Sequence, residues 1–253
     1  MPLFSILCPV YRPPALLPFA VDSVLSQTLT DWELFIVCDG APPETVAAAE
    51  SYSAQDPRIK VRAFPKGERN GEAHRHTVLQ EAEGTYVAQI GDDDIWLPTH
   101  LAAMSSLLAE VEFGHFLEMR ILPGLVPNMV MASLEEGEAQ RILETSKCLF
   151  GPTVTGYRME TYRRLPEGWS PAPQGIASDA FMWKKFLRLP DITIRTCNEV
   201  HALKVPDYFR SHMSIAQRRR EHERLALLAA DVKARESLVD FAFKNLKQRK
   251  TKA

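Results

Sequence analysis

No stretch of this sequence approaches the roughly 20 consecutive apolar residues that a membrane-spanning helix needs. The opening residues, Met1-Pro2-Leu3-Phe4-Ser5, carry neither the basic region nor the apolar core of a secretory signal. Excess positive charge is missing too: the formal net charge is −2, which gives a nucleic-acid partner no bulk electrostatic support. Cysteine is sparse. Cys8, Cys38, Cys148 and Cys197 are scattered without any CxxC or Cys/His spacing that would suggest zinc, and two of them lie inside apolar strand-like runs. They read as buried free thiols in a reducing compartment. Internal repeats and low-complexity tracts are absent as well. The expectation is a soluble, cytoplasmic protein. With 253 residues, 45% apolar and 25% charged, it can bury one sizeable core and has the composition of an ordinary globular enzyme.

What is present is an alternation of strand and helix patterns. Phe4–Val10, Glu33–Cys38, Arg58–Phe64 and Thr85–Ile90 read as strands. Between and after them, Ala15–Gln27, Pro43–Tyr52, His74–Glu83 (closed by Gly84) and Pro98–Val111 read as helices. This order predicts an α/β fold with a mostly parallel, Rossmann-like sheet covered by helices on both faces. The second half is less regular. Strand-like pieces near Phe116–Ile121 and Thr153–Tyr157 flank a polar helix around Leu134–Thr145, and a helix is expected to start near Asp179. One amphipathic helix is expected from Ile215 to Leu246, followed by the basic tail Lys247–Lys252.

In an open parallel sheet, ligands bind at the carboxyl ends of the strands, where the strand order reverses. Three polar features fall at such ends: Pro9-Val10-Tyr11-Arg12, Asp39-Gly40 and Asp92-Asp93-Asp94. A strand order of 3-2-1-4 would open all three into one crevice. The usual phosphate cradles are missing. The turn after the first strand has no glycine, so there is no G-x-G-x-x-G, and no G-x-x-x-x-G-K-[ST] loop occurs anywhere. Phosphate bound here would need another partner, and a metal ion is the obvious one. Three adjacent carboxylates raise each other's pKa unless a cation compensates them. Such oxygen ligands suit Mg²⁺ or Mn²⁺, which take one or two carboxylates plus substrate phosphates and water. The plainer reading is a helix cap with two solvated neighbours.

These segments resemble the family 2 glycosyltransferases, which have the GT-A fold. The resemblance rests on Ser5-Ile6-Leu7-Cys8-Pro9-Val10-Tyr11-Arg12, Ser23-Val24-Leu25-Ser26-Gln27-Thr28, Val37-Cys38-Asp39-Gly40 and Gly91-Asp92-Asp93-Asp94-Ile95-Trp96-Leu97-Pro98, in that order. It covers Ser5–Leu107 closely and Gly151–His212 more loosely. It implies an inverting, metal-dependent transfer of a sugar from a nucleotide-diphosphate donor, a UDP-sugar, to an acceptor hydroxyl in polysaccharide or glycoconjugate synthesis. Asp39 would accept a hydrogen bond from the base, Pro9 and Tyr11 would line its pocket, and Arg75 would approach the base or diphosphate. Asp92 would contact the ribose, and Asp93, with Asp94, would hold the metal. Two departures stand out: Gly91, where many members carry an acid, and His76, where they carry asparagine.

Ser178-Asp179 resembles the family's acidic pair, whose second carboxylate is the catalytic base; an ordinary helix cap is the competing reading. His212 sits where some relatives place a histidine on the metal or diphosphate. Trp183 reads as core rather than as a sugar-stacking platform. Along the chain, the resemblance implies a nucleotide-sugar-binding part over residues 1–112, an acceptor-binding part over 113–214, and a C-terminal helix and basic tail over 215–253. The basic tail could contact an anionic membrane or a glycolipid acceptor, or the helix could pack on the domain or on a second subunit. Two rival readings are a sugar-1-phosphate nucleotidyltransferase and a catalytically degenerate nucleotide-sugar sensor or scaffold.

Overall fold

The computed structural model describes residues 1–134, 137–146 and 150–250, the side chains of 138–140 and 247–250 excepted. Cys148 and the side chains of the basic tail Lys247–Lys252 lie outside the described residues. The first half runs β1 (Phe4–Val10), α1 (Leu17–Leu25), β2 (Trp32–Asp39), α2 (Pro43–Gln55), β3 (Ile59–Phe64), α3 (Glu72–Glu81) and β4 (Tyr86–Gln89). It continues through β5 (Ile95–Trp96), α4 (His100–Glu110), β6 (Phe113–Phe116), β7 (Glu118–Leu122), β8 (Val126–Val130) and α5 (Glu138–Glu144). The remainder is β9 (Thr155–Arg158), α6 (Met159–Arg163), α7 (Ser178–Leu187), β10 (Ile194–Cys197), β11 (Ala202–Lys204), α8 (Ile215–Ala230) and α9 (Val232–Lys250).

The main sheet has the order β10-β6-β9-β4-β1-β2-β3. Strands β3, β2, β1 and β4 are mutually parallel, which is the 3-2-1-4 order that one crevice requires. β9 runs antiparallel between β4 and β6, so the second half extends the same sheet. All eight residues of β2 are buried, as expected for a central strand covered on both faces. Its one charged interior residue, Glu33, is satisfied by Ser5 Oγ (2.6 Å), Lys60 Nζ (2.7 Å) and the Glu83 N–H (2.7 Å). These contacts hold its carboxyl below the usual range although burial opposes them. Cys8, Cys38 and Cys197 are free thiols.

A second sheet, β5-β11-β7-β8, has its own apolar cluster against the C-terminal helices, built from Met119, Ile121, Leu203, Leu225 and Ala242 among others. Strands β5, β8, β10 and β11 have two to five residues each, too few for a period to show. The helix expected over Ile215–Leu246 is in fact two. Asp231 leaves helical geometry (φ −82°, ψ 121°), and its Oδ1 accepts the Ala234 N–H at 2.8 Å, capping α9 so that it folds back on α8. Gly84 does not close α3, which ends at Glu81. It permits close packing instead: a Cβ there would lie 2.3 Å from the Ser5 nitrogen. No described helix is long and apolar enough to cross a membrane.

Candidate active site

The carboxyl ends of β1, β2 and β4 open into one cleft of about 530 Å³, and Pro9, Tyr11, Asp39, Arg75, Asp92, Asp93, Asp94 and Asp179 all line it. His212 does not belong to this lining and is exposed to solvent. The structure thus brings together the residues expected from five separate segments and leaves that histidine outside.

At one end sits Asp39, the last residue of β2, buried beneath the segment that follows β3. It accepts the Gly67 N–H at 2.7 Å and the Lys66 ammonium at 2.5 Å, with His74 Nε2 3.5 Å away. Gly71 makes this fit possible. Its φ of +67° suits glycine, and a Cβ there would stand 2.5 Å from Asp39 Cγ.

The aspartate loop after β4 forms the floor. Each of its carboxylates meets cations or donors from distant parts of the chain. Arg12 reaches Asp92 (3.1 Å) and Asp93 (2.9 Å), and Arg218 of α8 reaches Asp93 at 3.4 Å. Both arginines also pair with Asp207. Asp94 accepts the Val205 N–H at 2.8 Å and the Thr153 hydroxyl, and lies 3.3 Å from Lys204 Nζ. The fully buried His222 places Nε2 2.9 Å from the Asp93 carbonyl oxygen. A Cβ at Gly91 would lie 2.8 Å from Asp94 Oδ2, so a larger residue there would have to displace that carboxylate.

Burial, more than any single neighbour, raises the pKa of Asp92, to about 7; the charge of Arg12 opposes the rise while Asp93 and Asp94 add to it. Asp93 is raised too, by burial and then by Asp94. For Lys204, burial alone would lower the pKa, but Asp94, Glu118 and Asp179 outweigh it, and the ammonium stays firmly charged. A carboxyl whose folded value lies above its unfolded one favours the fold when protonated. That contribution is complete below pH ~4 and is lost as pH rises through the folded value. The melting temperature of the metal-free protein should therefore fall between pH ~5 and ~8. Asp92→Asn should flatten that slope, and an unaltered slope in the variant would remove Asp92 as its source.

Asp179 is the second residue of α7 and faces the cleft. The cap of that helix is Ala177, with no side-chain capping bond, so neither Ser178 nor Asp179 serves as an ordinary N-cap. Arg75, three residues into α3, is buried with its guanidinium 4.2 Å over the Trp169 ring. Burial lowers its pKa against the pull of Asp179 and Glu72. Trp183 is core, its indole N–H donating to the Phe150 carbonyl at 3.1 Å.

The donor set fits a Mg²⁺ or Mn²⁺ ion only in company with a ligand. The described pairings engage Asp92 Oδ2, Asp93 Oδ2 and both oxygens of Asp94, which leaves Oδ1 of Asp92 and of Asp93 as the oxygens of the loop outside those pairings. Among the described residues no group of three or more His, Cys, Asp or Glu is arranged to hold a metal. One carboxylate, with the other positions filled by phosphate oxygens and water, is a normal arrangement for these ions.

Several site residues escaped the sequence reading. Lys66, Asn70, Glu72, Lys204, Asp207, Arg218 and His222 come from surface-like segments that only the fold gathers. Arg12 did carry a usable signal, since three adjacent buried acids need cations nearby.

Comparison with known proteins agrees with this architecture. Residues 5–116 match the family model described as glycosyl transferase family 2. The chain is 36% identical over 94 residues to the uncharacterized glycosyltransferase EpsJ of Bacillus subtilis (strain 168), a match covering 37% of this chain and 27% of EpsJ. It is 28% identical over 106 residues to WfgD of Escherichia coli, a UDP-Glc:alpha-D-GlcNAc-diphosphoundecaprenol beta-1,3-glucosyltransferase, covering 42% of this chain and 41% of WfgD. The matches therefore span less than half the length of these curated relatives. Among solved structures, S. aureus TarS 1–349 in complex with UDP-GlcNAc superposes with a TM-score of 0.63 at 18% identity, covering 90% of this chain and 66% of that one. Residues 5–116, from β1 to β6, thus resemble the family 2 glycosyltransferases, and the sheet they belong to has the GT-A fold of the TarS structure.

Proposed function

We propose that the protein moves a sugar from a UDP-sugar onto an acceptor hydroxyl, with inversion at the anomeric carbon. The observation that carries this reading is that Asp39, Asp92–Asp94 and Asp179 line one cleft. The base would lie between Pro9 and Tyr11 and donate a hydrogen bond to Asp39, the ribose would meet Asp92, and Arg75 would face the base or diphosphate. Asp93 would hold the divalent ion, with Asp94 buttressing the loop from beneath. When bound, that ion neutralises charge on the departing diphosphate. Arg12 stands over the same carboxylates and would turn to the phosphates as they arrive. Asp179 would take the proton from the acceptor hydroxyl as its oxygen attacks the sugar carbon. TarS, solved with UDP-GlcNAc, and WfgD, named for a UDP-glucose donor and a diphosphoundecaprenol acceptor, favour a UDP-sugar donor and a saccharide or glycolipid acceptor.

Residues 1–112 would then serve the donor, 113–214 the acceptor, and 215–253 the support of the aspartate loop. We place the protein in the cytoplasm, at the inner face of the membrane where a lipid-linked acceptor would be met. A thermal-shift screen of UDP-sugars with and without Mn²⁺ tests the reading. A bound ligand at 100 times its Kd stabilises the native state by about 2.7 kcal/mol, several degrees in melting temperature for a chain of this size. A UDP-sugar response that requires Mn²⁺ is expected; silence across the panel counts against the reading.

A further inference from the structure

Loop 65–71, which wraps Asp39, and helix α7, which carries Asp179, are joined by a carboxylate that the proposed reaction does not use. Glu72, the first residue of α3, is fully buried. Its Oε1 accepts the Ser178 hydroxyl and its Oε2 accepts the Asn70 backbone N–H at 2.9 Å. Asn70 closes the ring, its Nδ2 donating to Ser178 Oγ at 2.6 Å, which leaves the hydroxyl its one proton for Glu72. Arg69 adds a second tie, Nη2 to the Ile176 carbonyl at 3.0 Å. Ser178 is the neighbour of Asp179 and begins the same helix turn. Arg75 lies on the same helix as Glu72, and Asp179 and Glu72 are the two carboxylates that act on it most.

We propose that Glu72 is a positioning residue: through Ser178 it fixes the start of α7, and with it the Asp179 carboxylate, against the loop that surrounds Asp39. The nucleotide end and the acceptor end of the cleft are thereby one unit. This rests on the role of Asp179 given above. The position where the family resemblance sets the first acid of a pair is occupied here by Ser178, and the acid reaches it from α3.

Glu72→Gln keeps the volume but removes the charge and turns one acceptor oxygen into a donor, so the Ser178 hydroxyl loses the carboxylate that takes its proton and the tie weakens. Amide hydrogen exchange is expected to quicken in residues 68–75 and 178–182 together, including the Phe181 N–H that rests on the Ala177 carbonyl. UDP release from UDP-glucose or UDP-N-acetylglucosamine should slow by roughly 10- to 100-fold in kcat, because a displacement of about 1 Å is costly at a reacting group, while UDP affinity, with the Gly67 and Lys66 contacts to Asp39 intact, should fall by a smaller factor. Ser178→Asp added to Glu72→Gln returns a carboxylate to the junction and should recover most of the rate. The same change in the wild-type background sets two carboxylates together and should slow it. If Glu72→Gln does not fold, Ser178→Ala breaks the link from the other side and should give the same paired exchange. Unchanged exchange in both segments, or full kcat in Glu72→Gln, overturns the proposal. Asp179→Asn run alongside separates the two ideas: turnover surviving there removes the base and with it the functional reading, while the exchange data still decide the Glu72 tie.

Discussion

Asp179→Asn should bind UDP as the wild type does and transfer sugar about 10²- to 10⁴-fold more slowly, the range that a positioned general base supplies. The variant keeps the size of the side chain and takes away its charge and its capacity to accept a proton. Asp39 and the aspartate loop, which would hold the nucleotide, are untouched. A loss confined to kcat therefore separates a base from a donor-binding group, because a residue that grips the ground state would weaken UDP affinity in step with turnover. Wild-type transfer by the asparagine form would rule out Asp179 as the acceptor's base.

Asp93→Ala should erase metal dependence. Without that carboxylate, Mn²⁺ should no longer raise the melting temperature in the presence of UDP, and turnover should drop on the order of 10³-fold, the scale of losing a main electrostatic stabiliser of a leaving group. The fold itself should survive. Arg12 keeps its contacts to Asp92 and Asp207, and Arg218 keeps Asp207. A variant that retains its Mn²⁺ response would move the metal elsewhere on the loop or out of the mechanism.

The acidic half of the site was legible in the chain because acids stand where strands end. β1 and β2 announce themselves by unbroken apolar runs, and whatever follows the carboxyl end of such strands faces the crevice. The cations from the second half of the chain were not. Lys204 and Arg218 lie 110 and 125 positions away from the aspartates they meet. Nothing in their own neighbourhoods marks them, since an arginine in a charged helix reads as solvated. The histidine contact illustrates the same limit: the resemblance pointed to His212, which is exposed, while the one touching the loop is His222, inside α8 where its surroundings look like any helical surface. The second sheet was hidden for a different reason. Its β5 and β11 have two and three residues, and such short pieces acquire strand geometry from their partners rather than from their own pattern.

The grip of α8 on Asp93 also sets an order of events during synthesis. The family-matching segment is complete by residue 116, yet Asp93 meets Arg218 and His222 from positions 125 and 129 later in the sequence. A nascent chain that has formed its first four strands has Arg12 but still lacks Lys204 and Arg218, two of the three cations on that floor. On the proposed reading, the floor of the donor site would be complete only once translation has passed residue 222, so a half-made molecule would have no finished place in which to squander an activated sugar.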